Sequence, residues 1–557
     1  MTRRTQFPFE HLRLAGAVAA GLALVVALAA SQGAAQSGSV SSTATRAPLL
    51  DTNPDSALTV MLSQITGTPL TLSEATAQAL DQATDVREAR GAMMAARGSM
   101  RSEKGAFDPE LFAGYSHAES DAPQSSPFAG ASVLRTKGLF ASGGARMKLP
   151  IGTELSASLE TSKLETNSRF AGANPEYDAA AAFRFRQPLL KGFGPAAWGA
   201  RTAASRDFEA AQARYEDAVE RTRSVVEQVY WDLYAAERDL AVQHLLRDRA
   251  ESFVDQADIR GKAGIVGPVV VANAKVFLAE QEQAVLDREE QYDKISDRLG
   301  SLLGRRPSSD SARYRPIDNP PRDFVVEPED SVVARAMAHN RSLAAGERDV
   351  ASARARELEA KWNIYPRLDL IGSIGGVGLA GTAQGIPTTI NGTPDTLFID
   401  IPPHRSDATS DAINRTFPNW SLGAVLSVPI GFRQGQGEHE RTKGELEQAE
   451  QRYIRDRRAL EEQVRAAHRE LVHSVKRLDA ARMGIDAALE QARVGLLEYG
   501  LGKSTSFDLV RIGADVATSQ QRFSQALVRT AKAVAEIRWL TSGGGAAGAT
   551  STGKTTP

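Results

Sequence analysis

No cysteine occurs among the 557 residues, so neither a disulfide framework nor a thiolate metal site is available. The same absence excludes an N-terminal lipid anchor carried on cysteine. An excess of one charge is missing too: 66 Lys and Arg stand against 68 Asp and Glu, a net charge of −2. No strongly basic face stands out, which removes the expectation of a nucleic-acid partner. Long apolar runs are nearly absent. The exception, Leu14 to Ala30, follows Arg3, Arg4 and Arg13 and precedes Gly33-Ala34-Ala35, the pattern of a signal peptide over residues 1–35. A single anchoring helix is the other reading of that run. No other stretch approaches the ~20 apolar residues of a spanning helix, so any further membrane crossing must be made by β-strands. Catalytic signatures are lacking as well: there is no Ser/His/Asp constellation, P-loop or dinucleotide fingerprint. His468 and His473 lie five apart, a poor spacing for metal ligands on one helix. The sequence therefore predicts no enzyme, no cofactor and no metal site.

What is present is a tandem repeat. At an offset of 257 (366 − 109), Ala77/Ala334, Ala79/Ala336, Ala96/Ala353, Arg97/Arg354, Lys104/Lys361, Pro109/Pro366 and Leu111/Leu368 are identical pairs. Further on the offset is 238. There Ala211/Ala449, Tyr215/Tyr453, Val226/Val464, Leu233/Leu471, Leu240/Leu478, Gly264/Gly502 and Leu302/Leu540 pair. The change of 19 (257 − 238) falls between the helical blocks. Helices that span one shared distance side by side must keep their length, whereas excursions ending in free loops drift.

The repeat organises the chain. After the signal comes an extended lead-in, 36–67, and then a first repeat, 68–304, ordered helix, strands, long helix, helix. A Pro-rich link, 305–330, leads to the second repeat, 331–541, and a low-complexity tail, 542–557. Residues recurring at three- and four-residue steps, such as Tyr215, Ala218, Thr222, Val225, Val229 and Leu233, predict long coiled-coil helices over about 196–260 and 438–498. Shorter helices are predicted at about 71–105 and 269–303. Two short ones end to end match one long one.

Prolines mark the helix–strand junctions: Pro109 and Pro366 open alternating segments, and Pro188 and Pro429 close the returning ones. These segments give four strands per chain, each about ten residues with period-two patterning, long enough to cross a bilayer obliquely. A further Gly-punctuated pair, 139–149 and 153–160, lies in the first half only, either in the wall or above it. The polar stretches 118–135 and 381–417 read as surface loops. Four strands cannot close a barrel, and unpaired edges do not persist in lipid. Closure demands copies, and three would give twelve strands.

Three motifs in this order, Leu72-Ser-Glu-Ala75, Gly105-Ala-Phe-Asp-Pro109-Glu-Leu111 and Gln187-Pro-Leu-Leu-Lys-Gly-Phe-Gly194, together with the duplication, resemble the TolC-like outer-membrane channels of Gram-negative bacteria. The resemblance implies an α+β membrane protein with an internal repeat. It implies a homotrimer whose twelve-stranded β-barrel in the outer membrane continues into an α-helical tunnel through the periplasm. It implies three kinds of partner: outer-membrane lipid, a periplasmic adaptor of the membrane-fusion type, and an inner-membrane transporter of RND or ABC type. It also locates the periplasmic tip. The adaptor-docking turns would be Gly264, Ile265 and Val266 in the first repeat and Gly502 and Lys503 in the second. The pore constriction would comprise Asp508, Arg511, Tyr499, Val269 and Val270. Asp508 resembles an acidic ring residue, Arg511 stands where a second acid is usual, and Val269-Val270 replaces a polar latch. Each has a plainer reading: Asp508 as a helix N-terminal acid or a partner of Arg511, Tyr499 as packing, and the two glycines as helix caps. A non-inserted periplasmic or surface scaffold is the alternative function.

Overall fold

The computed structural model describes residues 54–125, 129–306, 313–390, 393–501 and 503–542. The predicted signal peptide, Gly502 and the tail from residue 543 lie outside these residues. In chain order the first repeat comprises α1 (Pro54–Gln64), β1 (Thr68–Leu70), α2 (Leu72–Gln82), α3 (Thr84–Gly105), β2 (Glu110–Pro123) and β3 (Val133–Lys148). It continues with β4 (Glu154–Thr166), β5 (Ala173–Pro188), α4 (Pro195–Lys262) and α5 (Pro268–Leu302). The link supplies β6 (Tyr314–Pro316). The second repeat comprises α6 (Glu329–His339), α7 (Arg341–Asn363), β7 (Arg367–Ala383), β8 (Ile386–Ile390) and β9 (Thr393–Leu397). It ends with α8 (Arg405–Asn414), β10 (Phe417–Ser427), α9 (Arg433–Gly500) and α10 (Ser506–Leu540).

The helix boundaries reproduce the sequence offsets. Both ends of α4 map onto α9 at 238 and both ends of α5 map onto α10 at 238, giving matched lengths of 68 and 35 residues. Helix α2 maps onto α6 at 257. At 1.5 Å per residue each long helix runs about 100 Å. The predicted first helix is interrupted at Ala83 (φ −59°, ψ 132°), and its repeat mate breaks at the equivalent Asn340 (φ −62°, ψ 125°). Asn340 also caps α7: the Leu343 N–H donates to its Oδ1 at 2.9 Å, and its own amide donates to the Leu540 carbonyl at 3.0 Å.

The second repeat interleaves with the first. Helix α4 is flanked by α3 and α7 near the strands and by α5 and α10 toward the far end, while α9 packs on α6, α7 and α10. The two-piece column of the second repeat thus lies between the long helices, and α3/α5 and α9 form the free flanks.

The link is a structured collar, not a passive connection. Strand β6 pairs in parallel with β1. The fully buried Tyr230 hydroxyl donates to the Leu70 carbonyl at 2.9 Å and accepts from the N–H groups of Ile317 and Asp318 at 3.2 Å. Tyr292 donates to the Tyr314 carbonyl at 2.6 Å. Part of the predicted extended lead-in is also ordered: α1 sets Leu58 and Met61 against Ala241, Val242 and Leu245 of α4.

All six long strands form one antiparallel sheet in the order β10-β7-β5-β4-β3-β2. The four strands expected at the proline junctions are present as β2, β5, β7 and β10. The count of four is too low, because the Gly-punctuated pair is inserted full length between β2 and β5. Two predicted loops change accordingly. Residues 118–123 and 133–135 are paired strand, since Glu119, Asp121 and their neighbours find cross-strand partners in Lys137 and Arg135. The 381–417 connection holds the β8–β9 hairpin and α8.

Candidate channel wall and helical tip

The register assigns every wall residue to one of two faces. One face carries Leu111, Ala113 and Tyr115 of β2, Ala141 and Ala145 of β3, and Leu155 and Leu159 of β4. It continues through Phe183 and Phe185 of β5, Ile374 of β7, and Trp420, Leu422 and Leu426 of β10. The other face carries Ser142, Ser158, Ser162, Ser373, Ser421 and Asn419 with the charged groups Glu110, Arg146, Glu154, Glu160, Arg184 and Arg186, and among them the apolar Phe112, Phe140, Ile371, Val377 and Leu379. Two hollows cross five or more strands on this polar side, so it is the concave one. A convex apolar face around a concave one that carries the charged groups is the construction of a wall between lipid and water. Among the described residues no helix is long and apolar enough to cross a membrane.

Helix α8 lies on the convex face. Ala408 and Ala412 pack against Ala179 and Ala380, and glycine makes the approach possible. A Cβ on Gly378 would sit 2.0 Å from the Ala408 carbonyl oxygen, and one on Gly376 would sit 2.5 Å from that of Ala412.

On the concave face, near the helix–strand junctions, the charges are joined across strands. Arg186 donates to Asp369 at 2.7 Å and to Glu154 at 3.0 Å, Arg367 donates to Asp369 at 2.6 Å, and Arg146 grips Glu110 through two nitrogens at 2.7 and 2.8 Å. Asp369 is buried beneath its two arginines. None of these residues stands out in the sequence alone. The signal available was a charged residue at alternate positions inside otherwise apolar strands. Pro188, the last residue of β5, stands in register with Asp369, and Pro109 and Pro366 each precede the first residue of a strand, while Pro429 follows β10.

At the other end of the helices the turn after α4 is a Schellman cap. Gly264 takes φ +72°, the Ile265 N–H donates to the Arg260 carbonyl at 2.9 Å, and the Gly264 N–H donates to that of Gly261 at 3.0 Å. After α9 the Lys503 N–H donates to the Glu498 carbonyl at 2.8 Å, the equivalent bond, across Gly502, which lies outside the described residues. Ile265, Val269, Val270 and Lys503 are exposed at these turns. Tyr499 is half-buried in the last turn of α9.

Asp508 closes a capping box. Its N–H donates to Thr505 Oγ1 at 3.2 Å, and its carboxylate accepts from the Thr505 N–H at 3.1 Å and hydroxyl at 2.6 Å. The Thr505 hydrogen bonds hold its pKa below the usual carboxylate range, with Arg511 a minor contributor. The cap motif Thr505-Ser-Phe-Asp508 is legible in the sequence and outweighs the pairing with Arg511. Arg511 instead lines an apolar hollow of about 610 Å³ with Phe253, Val266, Val270 and Phe277. The structure thus brings Val266, Val270 and Arg511 together, while Asp508, Tyr499 and Val269 are not part of the lining. Deeper in the same seam, Arg249 is buried beside Gly513, and burial pushes its pKa down.

Residues 75–305 match the family model described as outer membrane efflux protein. The fusaric acid resistance protein FusA of Burkholderia cepacia is 28% identical over 202 residues, which is 34% of this chain and 31% of that protein. The match therefore spans about a third of that relative's length. Among solved structures, the CmeC outer membrane channel of Campylobacter jejuni superposes with a TM-score of 0.57 at 14% identity, covering 85% of this chain and 86% of that one. The outer membrane protein VceC of Vibrio cholerae gives 0.56 at 14% identity, covering 85% and 96%. The open state of the MtrE outer membrane channel of Neisseria gonorrhoeae gives 0.56 at 16% identity, covering 85% and 89%. At these identities the likeness is one of fold.

Proposed function

We propose that this chain, whose residues 75–305 match the outer membrane efflux protein family, is the passive outer-membrane duct of a multi-part export system, working as a homotrimer. It is a channel protein, not an enzyme. The observation that carries the finer reading is the two-faced sheet running directly into helical columns about 100 Å long. One sheet leaves the edges of β2 and β10 unpaired, and lipid offers their backbone groups no water. Three copies supply the missing edges and set twelve helical columns around one lumen.

The tip residues then take their roles. Asp508, Arg511, Tyr499, Val269 and Val270 surround the constriction. The turns at Gly264, Ile265 and Val266 and at Gly502 and Lys503 meet a periplasmic adaptor. An inner-membrane transporter of RND or ABC type supplies the energy. The resistance named in the Burkholderia relative points to small toxic organic molecules as cargo.

Single-channel recording of the detergent-purified protein in planar bilayers tests this function. Discrete steps are expected, with conductance or ion preference altered in Asp508→Ala. Steps unchanged by that substitution would remove Asp508 from the constriction while keeping the channel. A monomer that stays in the soluble fraction would favour the non-inserted scaffold.

A further inference from the structure

We infer that the outer-membrane wall of this protein is eighteen-stranded, three copies of a six-stranded sheet, and that it is about as wide as the helical tunnel beneath it. The inference rests on the homotrimeric channel reading and concerns the β3–β4 hairpin, which lies in only one of the two repeats.

The hairpin is wall, not decoration. Strand β3 is paired on both sides along Thr136 to Arg146, with β2 from Glu110 to Ser120 and with β4 from Ser156 to Thr166. Strand β4 is paired in turn with β5 from Glu154 to Leu164. Its side chains keep the two-face rule of their neighbours: Ala141, Ala145 and Leu159 on the convex side, Ser142, Arg146 and Ser158 on the concave side. Its turn is anchored at the junction level, where Gly152 (φ +96°) sits so close to the Gly192 carbonyl that a Cβ would come within 2.2 Å. Removing the hairpin from the wall would break the pairing of β3 with β2 and of β4 with β5, and lipid would not replace those hydrogen bonds.

The occupant of the free edges is a second copy of this chain. Strand β2 runs away from the helices and β10 runs back toward them, so β10 of one copy meets β2 of the next as an antiparallel neighbour. The helical layer is free on the same two sides, because α3 leads into β2 and β10 leads into α9. Each copy thus contributes six strands above four helical columns. With strands about 4.8 Å apart and tilted by about 45°, twelve strands close at a backbone radius of about 13 Å and eighteen at about 20 Å. Twelve helical columns spaced about 9–10 Å apart close at about 17–19 Å. An eighteen-stranded wall continues that tunnel without a step, and size exclusion falls to the helical tip.

Native mass spectrometry of the full-length protein in lipid nanodiscs, with cryo-electron microscopy of the same sample, tests this. The expected result is three copies and eighteen strands. A variant lacking residues 133–166 keeps antiparallel order between β2 and β5 and should close on twelve strands, with the wall radius reduced by about a third. If that variant fails to assemble, the strand count of the intact protein decides the matter alone. Three copies around twelve strands, with β3–β4 outside the wall, would overturn the inference and leave the trimeric channel standing. Two copies closing twelve strands would overturn both.

Discussion

Arg186 and Asp369 lie 183 residues apart in sequence, one in each repeat, and meet at 2.7 Å on adjacent strands of the wall. Asp369 answers to Arg367 as well. Removing the carboxylate leaves two partly exposed guanidiniums, 31% and 49% accessible, without their shared counter-charge. Asp369→Ala should destabilise the assembled protein by about 1–2 kcal/mol, read as a lower temperature for loss of the oligomer in detergent gels. Arg367→Gln, at the more exposed partner, should cost much less.

Tyr230 joins three segments through one hydroxyl, and burial pushes its pKa up to about 12, so it stays protonated and able to donate. Tyr230→Phe keeps the ring and orphans the Asp318 N–H, while the Ile317 N–H keeps its 3.3 Å bond to the Leu70 carbonyl. A loss of about 1–3 kcal/mol is expected. Limited proteolysis should show faster cleavage near residues 66–71 and 313–319 than elsewhere.

Two glycines should fail for different reasons. At Gly264 a Cβ has open space but φ is +72°, so Gly264→Ala costs only the left-handed strain, about 1 kcal/mol. At Gly378 the backbone is ordinary, but the Ala408 carbonyl occupies the Cβ position. Gly378→Ala should displace α8 from the wall, seen as faster amide exchange across 405–414 with exchange in α9 unchanged.

Glu359 carries a raised pKa, chiefly from burial and secondly from the Glu103 charge. A carboxyl whose folded pKa lies above its unfolded value favours folding in its neutral form. Its penalty is therefore absent below about pH 4 and fully present once pH exceeds the folded pKa. Glu359→Gln should stabilise the protein at pH 7, by less than about 1 kcal/mol, with the gain vanishing toward pH 4. Asp508 has the opposite sign: its lowered pKa supports the start of α10 above the ordinary carboxylate range, and that support is lost as pH falls through the lowered value. Thr505→Ala should remove about 1 kcal/mol of cap stabilisation, read by amide exchange at 506–510.

Helix lengths were legible because two copies of one pattern, offset by 238, had to agree, and buried pairs such as Val226/Val464 and Leu240/Leu478 carry the same seam in both. Strand lengths were not. A bilayer crossing needs about ten residues, whereas β7 runs to 17 residues, and the polar ends of strands such as His117 to Asp121 resemble loops until their cross-strand partners are known. Asp369 was hidden because a charged side chain inside a strand gains its meaning from residues on the neighbouring strand. The turn after α4 was legible from Gly264, and the role of Asp508 in capping α10 through Thr505 is written in the cap motif itself.

The most direct test of the wall uses the absence of cysteine. Single cysteines at Leu422, on the convex face, and Ser421, on the concave face, should carry an environment-sensitive fluorophore in the protein reconstituted into vesicles. A lipid-borne quencher should act on the label at 422 and a water-soluble one on the label at 421. Equal access of the water-soluble quencher to both positions would contradict a membrane wall, and with it the channel.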